Sequence, residues 1–242
     1  MLALIGCSSF GDATPSPERA DPAPGADAAA ADASSAADAT PGDAGTCNGP
    51  LELELAKFVA APTATGSTHL AGDALEAMTM AASGTGSQAY LRLDLDGISS
   101  LTMSYDLGIA GVDGVYAEPA CSVDLFADAT NARPATQLYF VHADTRALSF
   151  EIATKPVSGE GVDLSKVDLG ALPPNAGTHA VRLSLSSAGT RLSGTLSYDD
   201  VGHPFDVQMP GPAVRAQIHC GVYFARGAFS VSVTGFRGVA CH

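Results

Sequence analysis

From residue 47 onward the chain alternates apolar and polar positions with a period of two. Leu51, Leu53 and Leu55 alternate with Glu52, Glu54 and Ala56. Ala89, Leu91, Leu93 and Leu95 alternate with Tyr90, Arg92, Asp94 and Asp96. Leu101, Met103, Tyr105 and Leu107 alternate with Thr102, Ser104 and Asp106. A period of two places successive side chains on opposite faces of an extended strand. Further strands are predicted over 121–126, 137–142, 147–152, 179–185, 192–198, 205–209, 216–224 and 229–233. Turn residues separate them, as at Asp96-Gly97, Pro173-Pro174-Asn175-Ala176-Gly177 and Ala188-Gly189. No amphipathic helix of useful length is present, and 164–169 has room for one short helical turn.

About a dozen antiparallel strands, each with one apolar face, need a second sheet to cover them. The expected fold class is therefore all-β, a two-sheet antiparallel β-sandwich of jelly-roll type over 47–242, with a small barrel as the alternative. No repeat of 20–50 residues points to a solenoid or propeller.

Residues 8–46 differ in kind. Ala, Asp, Pro, Ser and Gly dominate, with Phe10 the one large apolar residue. Such a stretch cannot bury enough apolar surface to offset the entropy of ordering it. It reads as a disordered tether with an rms reach of ~30–40 Å. Its seven acids against Arg19 give it a net charge of −6, which leaves −8 of the total −14 for the remainder. No Lys/Arg cluster occurs, so no nucleic-acid partner is expected.

The chain opens Met1-Leu2-Ala3-Leu4-Ile5-Gly6-Cys7. Leu4-Ile5-Gly6-Cys7 resembles a bacterial lipobox, in which an aliphatic residue and a small residue precede the cysteine that receives lipid. The resemblance implies lipidation at Cys7 and a membrane-anchored place in the cell envelope. Ser8 and Ser9, with no Asp directly after the cysteine, point to the outer membrane. Six residues make a truncated lipoprotein signal in 1–7, since a full one carries a basic start and a longer apolar run.

Cys47, Cys121, Cys220 and Cys241 remain, and in an exported domain four cysteines read as two disulfides. Three pairings are open. Cys47 opens the domain and Cys241 closes it, while Cys121 and Cys220 both fall on predicted strands. The favoured set is Cys47–Cys241 with Cys121–Cys220.

The stretch from His179 to Leu185, followed by Leu192 to Tyr198 and Asp199-Asp200, resembles the central hairpin of laminin-G-like or concanavalin-like jelly rolls. The sequence departs from that pattern in having no Trp, and in placing Asp200 where the turn usually has Gly. The resemblance implies a module for glycan or protein recognition, with loop aspartates available to calcium. Asp94 and Asp96, two apart on one strand beside Gly97, and Asp199 with Asp200, are the candidate calcium ligands. The alternative for both pairs is a solvated strand face and a polar turn. His142 and His179 align with core positions and are expected to be hydrogen-bonded residues of the core or edge. Tyr90 and Tyr223 are the outward aromatics open to sugar stacking, with cover of a neighbouring strand as the alternative for each.

No catalytic motif is found: Gly-x-Ser-x-Gly, His-Glu-x-x-His and Glu-x-Asp-x-x-Glu are all missing from the sequence. The expected function is a lipid-anchored, non-enzymatic envelope protein that displays a jelly-roll module for adhesion or glycan recognition. A structural lipoprotein without ligand and a degenerate carbohydrate hydrolase are the alternatives. The anchor is checked by expressing the gene with its upstream region and following labelled palmitate. Native protein is expected to take up label, and Cys7→Ala to take up none.

Overall fold

The computed structural model describes residues 49–61, 65–79, 86–130, 133–143, 147–154, 161–171 and 177–242. The truncated signal, the tether, Cys7 and Cys47 lie outside the described residues.

Thirteen strands follow in chain order. They are β1 (Leu51–Leu53), β2 (Val59–Ala60), β3 (Ser67–Ala71), β4 (Ala74–Thr79), β5 (Ser87–Asp96), β6 (Ser100–Phe126) and β7 (Thr136–Ala143). The rest are β8 (Ala147–Thr154), β9 (Val162–Ala171), β10 (Thr178–Ala188), β11 (Arg191–Tyr198), β12 (Val201–Gln208) and β13 (Arg215–Cys241). A 3₁₀ turn at Leu55–Lys57 is the one helical element among the described residues.

β6 and β13 each run for 27 residues and pair with each other along nearly their whole length. They pass from one sheet into the other. The first half of β6 and the second half of β13 centre a sheet ordered β12-β11-β10-β6-β13-β4-β3, with β1 also on β13. The second half of β6 and the first half of β13 centre a sheet ordered β2-β5-β13-β6-β7-β8-β9. All pairings are antiparallel, and the result is the two-sheet jelly roll that the alternation predicts.

The alternation predicts two separate strands in place of each long one, at 101–107 and 121–126 and at 216–224 and 229–233. The structure joins them. Their register shifts at Val222/Ala225, Arg226/Gly227 and Ala228/Ser230 mark where the strands bend between sheets. Bulges bend a strand without ending its pairing. The segment 164–169 is also corrected. It belongs to β9 on the sheet edge, because Lys166 and Val167 pair with Glu151 and Phe150 and so follow the period of two.

The core lies between the sheets. Leu101, Met103, Tyr105 and Leu107 of β6 face Val123, Leu125, Leu138, Phe140 and Phe150. Phe150 of the second sheet meets Phe205 of the first, ring centroids 6.4 Å apart. His142 is buried in this core against Phe229, as expected for a core histidine. One polar tie crosses the sandwich: the Tyr105 hydroxyl accepts from the Cys121 N–H at 3.2 Å and lies 3.4 Å from the Cys121 carbonyl. Burial leaves that hydroxyl no water, so the backbone contact satisfies it.

Cys121 and Cys220 stand directly opposite each other on β6 and β13 and form a disulfide across 99 residues of sequence. Cys241 is also disulfide-bonded, at the end of β13 where β1 pairs beside it. Closing a loop of this length removes about 4–5 kcal/mol of unfolded-state entropy in the chain-entropy description. Replacing both Cys121 and Cys220 by Ala is expected to lower the unfolding free energy by about that amount. Urea unfolding followed by intrinsic tyrosine fluorescence measures it.

Candidate functional site

The second sheet hides chemistry on the side facing away from the core. On β13, Ala216, Ile218, Cys220 and Val222 point inward, so Gln217, His219 and Tyr223 point outward. On β6, Cys121, Val123 and Leu125 point inward, leaving Ser122 and Asp124 outward. On β7 and β8, Leu138, Phe140, Leu148, Phe150 and Ile152 fill the core, which turns Gln137, Tyr139, Ser149 and Glu151 out. The outward set is polar, and much of it is shielded from water. Asp124 is 1%, His219 2% and Gln137 3% exposed. Polar groups in such surroundings need partners.

The register aligns them into rows across the strands. Arg92 pairs with His219 and His219 with Ser122. On the neighbouring strands Tyr139 pairs with Glu151, which pairs with Lys166. The adjacent row carries Asp94, Gln217, Asp124 and Gln137.

His219 sits at the centre. Its ring stacks on Tyr223 with centroids 4.5 Å apart and planes 14° apart, and Tyr90 packs 5.0 Å away. Gly221 separates His219 from Tyr223 along β13 and leaves the rings free to meet. A Cβ there would strike the Ala89 carbonyl at 2.5 Å, and its φ of +127° suits only glycine. The paired residue Ala120 has φ of +85°, a strained value for an L side chain. The site therefore lies beside the kink of both long strands.

The Gln217 side-chain amide donates to Asp94, which also lies 3.4 Å from Arg92 Nε. Gln217 Oε1 is thus left facing His219 Nε2 at 3.4 Å, which assigns the proton to Nε2. His219 Nδ1 has no hydrogen-bond partner among the described residues. Asp124 Oδ2 stands 3.7 Å from Nδ1. That approach is no ion pair, because burial and then the Arg92 charge lower the His219 pKa to about 4 and keep the ring neutral. Gln137 Nε2 donates to Asp124 Oδ1 at 2.6 Å, and its buried Oε1 has no donor among the described residues.

Farther along the face, Glu151 accepts from Ser149 at 3.0 Å, Tyr139 at 3.3 Å and Lys166 at 2.5 Å. Tyr116 donates to Glu118 at 2.6 Å. Burial, then the neighbouring carboxylates, push the Tyr116, Tyr139 and Tyr223 hydroxyls well above the usual range, so all three stay protonated donors.

The candidate calcium ligands are not gathered. Asp94 and Asp96 lie on β5 of the second sheet, while Asp199 and Asp200 form the turn between β11 and β12 of the first. Asp199 accepts from His179 Nδ1 at 2.7 Å and from the Ala180 N–H at 3.0 Å. Asp200 lies 3.3 Å from Arg182. Both turn residues have positive φ, 48° and 65°, the geometry of a two-residue hairpin turn. Among the described residues no three His, Cys, Asp or Glu side chains group as a metal would require. His179 is a hairpin residue, stacked on Tyr198 at 5.0 Å.

Tyr90 and Tyr223 stand on the face where the alternation puts them. Gln217, His219, Asp124, Gln137 and Glu151 join them here and are not among the residues the sequence singles out. Each is a polar residue within an otherwise apolar alternation, but only register shows which of them share rows.

No protein-family model matches this sequence, and no curated protein does. Solved structures match in fold. One, reported with endo-acting O-glycanases of the human gut microbiota, has a TM-score of 0.54 at 10% identity, covering 79% of this chain and 98% of its own. A legume lectin-like domain from Entamoeba histolytica has a TM-score of 0.51 at 8% identity, over 78% of this chain and 95% of its own. The Bacteroides ovatus mixed-linkage glucan GH16 protein has a TM-score of 0.51 at 11% identity, over 79% of this chain and 93% of its own. At these identities the likeness establishes the concanavalin-like jelly-roll fold.

Proposed function

We propose that this protein is an envelope glycan-recognition module, tethered by residues 8–46 to a lipid on Cys7, which takes a saccharide chain along the outer face of the second sheet. One observation carries the reading. The face sets the stacked rings of His219 and Tyr223 beside Arg92, Asp94 and Gln217, whose polar groups reach solvent. Sugar hydroxyls pair with such groups, and the half-buried Tyr223 ring supplies a platform for their apolar faces. The lectin-like and glycanase-associated neighbours support this reading as analogy of fold.

Binding is tested by affinity electrophoresis of the full chain through gels containing β-glucan, mannan or xylan. At least one is expected to retard the native protein, and Gln217→Ala with Tyr223→Ala to weaken retardation about tenfold or more, the scale of one lost hydrogen bond and one lost ring contact. Retardation by none of the three, or a double variant that matches the native protein, overturns the proposal.

The neutrality of His219 makes a separate prediction. Its folded pKa of about 4 lies below the unfolded value of 6.5. Its contribution is therefore fully present above pH 6.5 and is lost as pH falls toward 4. A shift of this size corresponds to about 3 kcal/mol. Native protein is expected to lose that much more stability than His219→Gln between pH 7 and pH 4, measured by urea unfolding.

A further inference from the structure

A trough of about 760 Å³ lies on the outer face of the other sheet. Its floor is set by register. Arg237, Ser104, Arg182 and Ser197 form one row across β13, β6, β10 and β11. The next row places Thr102, Ser184 and Thr195 side by side. Five short hydroxyl side chains thus make a sunken strip, and longer charged side chains rise around it. A strip of this kind offers both donors and acceptors at strand spacing.

Arg237 and Arg182 stand on either side of Ser104, two interstrand spacings apart, or about 10 Å between backbones. Arg182 is 66% exposed, and its one ion pair among the described residues is a 3.3 Å contact to Asp200, itself 78% exposed. Such a surface pair is weak and yields to a better-placed anion. Arg237 is exposed and has no ion pair or hydrogen bond among the described residues. Guanidinium forks match carboxylate and sulfate groups, and the hydroxyl strip matches a sugar ring. Glu52 and Glu54 on the β1 side and Asp73 edge the same trough. They accept sugar hydroxyls at the rim.

We infer that this trough is a second saccharide site, selective for an acidic sugar whose carboxylate or sulfate sits between Arg182 and Arg237 over Ser104. It lies on the sheet opposite His219 and works independently of that face.

The test uses the full chain in gels containing dextran, dextran sulfate or polygalacturonate. Retention by at least one acidic polymer is expected to exceed that by dextran tenfold or more, and which polymer wins identifies sulfate or carboxylate. Arg182→Gln with Arg237→Gln is expected to remove the excess, with thermal unfolding unchanged because both side chains are exposed. His219→Ala is expected to keep it. Equal retention by dextran, a double variant that binds like the native chain, or loss of the excess in His219→Ala overturns the inference.

Discussion

The pairing of β6 with β13 is the constraint on which the rest depends. Two strands of 27 residues run antiparallel through both sheets, and the strands on either side pair to one or both of them. Because they belong to both layers, the sheets share one hydrogen-bond network, and the core between them is closed by the same two strands that bend around it. Small errors in their register would turn every outward residue inward. The Cys121–Cys220 bond fixes that register at one point, and Tyr105 ties the same point to the opposite layer.

The face carrying His219 follows from this arrangement. Next to the disulfide, Ala120 and Gly221 take left-handed backbone geometry, and the strands kink there. The kink brings Tyr223 over His219, and the register brings Arg92, Asp124 and Gln217 beside it. A neutral imidazole results because so many side chains crowd it that a charge would lose its water. The opposite face has none of this crowding. Its hydroxyls are short, its arginines are open, and its chemistry is that of an accessible surface.

Much of the fold was legible in the sequence, and for a physical reason. Burial of one face per strand writes a period of two into the residues, so the strands bearing Leu91, Leu138, Leu183 and Leu196 could be read directly. The continuity of β6 and β13 was not legible, since Gly108, Gly111 and Gly114 interrupt the alternation as a turn would. Nor were β3 and β4, which are short and half polar. The 164–169 segment misled because Leu164, Val167 and Leu169 fit both a helical turn and an edge strand. At the site, Tyr90 and Tyr223 could be placed outward, and Cys121 with Cys220 could be paired. The rows of Arg92, His219 and Ser122 and of Tyr139, Glu151 and Lys166 could not, since they are written in pairings between segments up to 127 residues apart.

The disulfide has a bearing on the order of events in maturation. Its two cysteines are 1% and 0% exposed, enclosed between the layers. An oxidant must therefore reach both thiols while the layers are still apart, and afterwards no soluble reductant reaches the bond without opening the sandwich. A chain whose layers closed first would trap two thiols beneath His219. Correct assembly thus depends on a race between sulfur chemistry and collapse, and a catalyst of thiol oxidation acting early on the emerging chain would favour the native outcome.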